Sequence, residues 1–134
     1  MGQSSDRSSW SGFTKYDVEI WKISCQLASS LCQIANEIDA EELATLARRM
    51  KKSALQLPDQ FTSMILAESE DEFSDLWDNA YSLVVENSHE VNFLFHEQKI
   101  SKLRYDATLS FLSHLEGYLK TVTYSRESVK ETGK

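Results

Sequence analysis

A chain of 134 residues with 41% hydrophobic and 26% charged side chains is one domain's worth of ordinary globular sequence, long enough to bury a single core. Its formal charge of −7 argues against a domain that binds nucleic acid alone, since such domains usually carry net positive charge. No apolar run reaches membrane-spanning length and no charged-then-apolar leader opens the sequence, so the expectation is a cytoplasmic protein with no membrane partner. Residues 1–12 are polar and Ser-rich and are expected to be disordered. The domain is expected over residues 13–123. Its first predicted helix spans 15–38, with Ile20, Ser24, Leu27, Leu31, Ile34 and Ile38 spaced by threes and fours along one face. Thr14 with Asp17 has the spacing of a cap at its start.

The second predicted helix, 40–66, carries Leu43, Leu46, Met50, Ala54, Leu57, Phe61 and Met64, with Asp39 and Glu42 as its cap. Pro58 falls inside this stripe, but Leu57 and Phe61 stay in phase across it, so a kink is expected rather than a break. The third helix, 70–97, is opened by Ser69 and Glu72 and carries Phe73, Leu76, Ala80, Leu83, Val84, Asn87, Val91 and Leu94. Asn87 stands on the inward face, where an amide must find a partner and often fixes register. The fourth helix, 102–123, has Ser101 as its cap and Leu103, Phe111, Leu112, Leu115, Tyr118, Leu119 and Val122 as its stripe. Residues 124–134 are a charged tail expected to be disordered.

Between Phe13 and Glu116 there is no glycine, and Pro58 is the one proline of the chain. So little punctuation leaves long helices with short connections as the available architecture. The predicted fold is therefore all-α, an antiparallel up-down-up-down four-helix bundle.

No residue pattern points to catalysis. Glu86 with His89 is half of a dinuclear-metal signature, but Phe93 and Phe111 stand three residues before His96 and His114. There is no Gly-rich phosphate loop and no activated nucleophile. Cys25 and Cys32 lie two helical turns apart, roughly 10 Å, too far for a disulfide within one helix. No metal, no cofactor and no enzymatic activity is expected.

The surface pattern is more informative. Lys and Arg are absent from Ser53 through Gln98, a stretch with ten acidic residues. Just before it stand Arg48, Arg49, Lys51 and Lys52, the candidate nucleic-acid contacts. Stepping 100° per residue turns Val85, His89 and Phe93 outward on the third helix, and Leu55 and Leu66 outward on the second. These five are the candidate oligomer interface.

The segment Tyr16-Asp-Val-Glu-Ile-Trp-Lys-Ile-Ser-Cys-Gln-Leu-Ala28 resembles the opening helix of a known family: the small four-helix-bundle proteins of bacterial ribosomal-RNA intervening sequences, with the accessory variability determinant proteins of diversity-generating retroelements. Leu46-Ala-Arg-Arg-Met-Lys-Lys-Ser-Ala-Leu-Gln-Leu-Pro58 is similar to that family's basic second helix, and Phe73, Ala80, Ser82 and Glu86 match places in its third. After the proline that family typically reads Asn-Ile-Ala-Glu-Gly. Gln60-Phe61-Thr62-Ser63-Met64 stands there instead, so the second helix is expected to run on toward Ala67. The resemblance implies a non-enzymatic, ring-like homo-oligomer, such as a pentamer, that serves as a docking platform. In the retroelement branch it implies a reverse transcriptase and its template RNA as partners. Family members there are basic, whereas this chain is acidic, so RNA is expected to be bound only together with that basic protein. The rival reading is an acidic inhibitor or antitoxin-like binder that masks a basic protein.

Overall fold

The computed structural model of the protein describes residues 14–122, which hold four α-helices and, among those residues, no strand. The expected disorder of 1–12 and 124–134 lies outside the described residues. Helix α1 is Lys15–Glu37, α2 is Ala44–Ile65, α3 is Glu70–His96 and α4 is Lys102–Thr121. A short 3-10 turn, Glu41–Leu43, leads into α2.

Three of the four starts are made by the side chains the sequence offers. Thr14 Oγ1 accepts from the Asp17 N–H at 3.0 Å, and Asp17 Oδ2 accepts from the Thr14 N–H at 2.9 Å. Ser69 and Ser101 accept from the N–H groups of Glu72 and Arg104, each at 3.1 Å. Glu72 reaches back one residue further than a capping box requires, to the N–H of Glu68. Glu70, Asp71 and Glu72 crowd the first turn of α3, where the helix dipole favours negative charge.

The expected cap at Asp39 and Glu42 is not formed. Ala40 precedes the 3-10 turn without a side-chain hydrogen bond, and Leu43 precedes α2 without one. The turn supplies the missing partners itself, with the Leu43 N–H on the Ala40 carbonyl at 3.0 Å. Helix α2 is unbroken through Pro58 and stops at Ile65, one residue short of the expected 66 and without running on toward Ala67. Helix α3 ends without glycine: Gln98 takes a left-handed φ of 59°, and the Lys99 N–H reaches the Leu94 carbonyl at 2.8 Å.

Each helix packs on two others: α1 and α3 both lie against α2 and α4. The four stripes close into one core built on Leu27, Leu31, Met50, Leu57, Phe61, Val91, Leu94 and Leu115, all buried. Polar contacts fix how neighbours meet. Tyr118 near the end of α4 donates to Asp17 at the start of α1, at 3.1 Å, while Ser30 and Thr108 pair at 2.7 Å midway. Arg104 at the start of α4 bonds Gln33 and Glu37 at the end of α1. Between α3 and α4, the Trp77 indole donates to the Leu119 carbonyl at 2.7 Å, and Phe95 stacks on Tyr105 with ring centres 4.0 Å apart.

Leu103 is a correction. It was expected in the stripe of α4 but is 82% exposed, and Thr108 takes a core place instead. Nine residues, two and a half turns, separate Leu103 from Leu112, which puts them on opposite faces.

Candidate interaction surface

The basic segment lies on α2, one turn after its start, and the four cations point different ways. Met50 and Ala54 mark the buried line of the helix. Arg48, Lys51 and Lys52 are exposed, and Lys51 and Lys52 have no ion-pair partner among the described residues. The Arg48 guanidinium bonds only the Thr45 hydroxyl, at 3.3 Å. Three positive charges are thus free to meet a partner.

Arg49 is engaged elsewhere. Its Nε donates to Glu90 Oε2 of α3 at 3.0 Å, with Arg49 54% exposed and Glu90 only 5%. Beside this pair, Ser53 Oγ donates to Asn87 Oδ1 at 3.0 Å and lies 3.1 Å from the Met50 carbonyl. Arg49, Ser53, Asn87 and Glu90 thereby make one polar node between α2 and α3. It is incompletely satisfied, because Glu90 Oε1 and Asn87 Nδ2 are sealed from solvent with no hydrogen-bond partner. Burial raises the Glu90 carboxyl above its ordinary pKa of 4.5, outweighing the opposing hydrogen bond and charge of Arg49, and the Glu86 charge adds to the rise.

Asn87 was expected to face the core and does. Glu90 and Ser53 were not singled out, although a signal existed: Glu90 adjoins Val91 and Asn87 in the buried line of α3. Arg49 likewise precedes core Met50 at the edge facing α3. A charge beside the core line on each of two neighbouring helices is the pattern of a partly buried pair.

The five candidate interface residues are not gathered into one patch. Leu55 is 75% exposed, and Phe93, three residues beyond Glu90, is 46% exposed. Leu66 lies just past the end of α2, roughly 16 Å along the helix from Leu55. His89 is exposed, but Val85 is half-buried rather than outward, a correction to the wheel argument. Its neighbour Val84 lies in the core line, so the buried arc of α3 is wider than one stripe at that level.

Among the described residues no three His, Cys, Asp or Glu side chains come together in a metal-binding group, and no helix is long and apolar enough to cross a membrane. No known family, no curated protein and no solved structure matches the chain.

Proposed function

We propose that this protein works by binding rather than catalysis, as an oligomeric docking protein for a basic protein partner and the RNA that partner carries. The observation that supports this best is the division of its surface. Arg48, Lys51 and Lys52 stand free on α2, while α3 is acidic from its first turn onward. The acidic helix suits a basic protein surface, and a few free cations suit phosphate brought in by that protein. In this reading the domain is an antiparallel up-down-up-down bundle, bent at Pro58; the end-to-end pairing of Asp17 with Tyr118 and of Glu37 with Arg104 supports the antiparallel setting of α1 and α4. The family resemblance supplies the rest of the proposal: cytoplasmic homo-oligomers, such as pentamers, serving a reverse transcriptase of a diversity-generating retroelement.

Copies associate through exposed apolar side chains, foremost Phe93. Phe93→Glu is therefore expected to shift the mass toward monomer by light scattering at micromolar concentration, with its circular dichroism unchanged. A monomeric wild type would contradict this part of the proposal.

Two charge reversals test the nucleic-acid contact. Arg48→Glu with Lys52→Glu should weaken the assembly of protein, reverse transcriptase and RNA by about tenfold, yet change the protein–protein affinity by less than about threefold. RNA retention on the reverse transcriptase, followed by filter binding at physiological salt, reads the difference. Tight binding of RNA by the protein alone would overturn the scheme, because its net charge of −7 should repel phosphate.

A further inference from the structure

One turn beyond the basic segment, the outer faces of α2 and α3 form a groove. Leu55, Gln56, Asp59 and Gln60 line it from α2, and Asn79, Ser82, Leu83 and Glu86 from α3, around a volume of about 490 Å³. Its chemistry is one-sided. Two carboxylates, Asp59 and Glu86, face into it without an ion-pair partner among the described residues, and no cation lines it. Gln60 also lines the groove, but its Oε1 is sealed from solvent beneath the surface. Leu55 on the rim and Leu83 below supply apolar contact.

We propose that this groove receives an arginine-bearing segment of the basic protein partner. This rests on the binding reading above and gives it a location. Guanidinium is planar and offers several N–H donors in a fork that matches a carboxylate. Its aliphatic stem can lie along Leu55 and Leu83 while the charged head meets Asp59 or Glu86. Phosphate is excluded by the two carboxylates, although the groove adjoins the cations: Lys52 stands one turn before Leu55 and Gln56 on the same face of α2. The two ends of this face sort the two components, protein to the groove and RNA to the cations.

The test uses a fluorescein-labelled helical peptide with arginine and leucine at every third or fourth position, titrated with the whole chain at about 0.15 M salt. Asp59→Asn with Glu86→Gln removes two charges at the groove, and Asp71→Asn with Asp75→Asn removes two from the same helix surface outside it. The groove pair should weaken binding about tenfold and the second pair less than about threefold. The side-chain amide resonances of Gln56, Gln60 and Asn79 should shift on peptide addition. Equal loss from both pairs would overturn the groove while leaving the broader acidic-surface reading standing. No binding by the wild type would overturn both. If the groove pair instead lowers the oligomeric mass and leaves peptide affinity unchanged, the occupant is a second copy and the proposal is wrong. Circular dichroism confirms that each variant is folded.

Discussion

Arg49→Met is expected to cost about 3 kcal/mol of stability at pH 7, at the low end for breaking a buried ion pair because Arg49 is half-exposed. The loss does not come from the pair's own attraction. It comes from leaving the Glu90 carboxylate charged and nearly sealed, with Oε2 joining an Oε1 that already has no partner. The pH dependence has a definite sign. Folding raises the Glu90 pKa above 4.5, so the folded chain holds that proton to higher pH than the unfolded chain does. Below about pH 4.5 both states are protonated and the penalty is absent; it grows as pH rises through the folded value. Removing Arg49 moves the folded value higher still, so the deficit of the variant should shrink as pH is lowered from 7. Adding Glu90→Leu to Arg49→Met should bring stability back to within about 1 kcal/mol of the wild type. Urea melts across pH measure all of this, and a single variant within about 0.5 kcal/mol of wild type, flat with pH, would refute it.

Phe61→Ala should be the most damaging core substitution on α2, at about 4 kcal/mol and on the order of 15 °C in Tm. Phe61 is fully buried, and its ring lies 6.2 Å from that of Tyr118, centre to centre. Its position also matters. Pro58 lacks the N–H that would close a bond to the Ala54 carbonyl, so the last two turns of α2 are less securely tied to the turns before them. Those turns are held by burial of Phe61 and Met64 instead. Phe61→Leu, which keeps most of the volume, should cost less than about 1.5 kcal/mol. Thermal unfolding of the two variants side by side separates a cavity effect from a general intolerance at this site. A loss below about 1 kcal/mol for alanine would mean that packing does not carry this end of the helix.

The fold was largely legible because its helices are amphipathic in register with their caps. Ile20, Leu27, Leu31 and Ile34 fall on one line of α1, and Met50, Ala54, Leu57 and Phe61 on one line of α2, all buried. Such lines report a period, which sequence carries directly. Leu103 is hydrophobic but out of phase: counting back from Leu112 places it on the far side of the helix. Asp39 misled because a side chain able to cap competes with a 3-10 turn that satisfies the same backbone groups locally. The candidate surface was legible only as a list of charges. That Arg49 belongs to Glu90, while Lys51 and Lys52 stay free, depends on how α2 and α3 are rotated against each other. Rotation is set by packing across a distance of 41 residues in the chain, and no local pattern records it.

The order in which the helices neighbour one another also bears on the entropy of chain closure. Helices α1 and α2, α2 and α3, and α3 and α4 are consecutive and can meet by closing short connections. The α1–α4 contact joins opposite ends of the fold: Asp17 and Tyr118 are 101 residues apart in sequence, and Ser30 and Thr108 are 78 apart. Loop closure costs more as the closed loop lengthens, though only logarithmically, so this contact carries the largest single closure term in the domain. It is bridged by the Tyr118 phenol, the Ser30–Thr108 hydroxyl pair and the Arg104 guanidinium, three directional links where an apolar contact alone would leave sliding free. The pairing most distant in sequence is thus held in register by three directional links of its own.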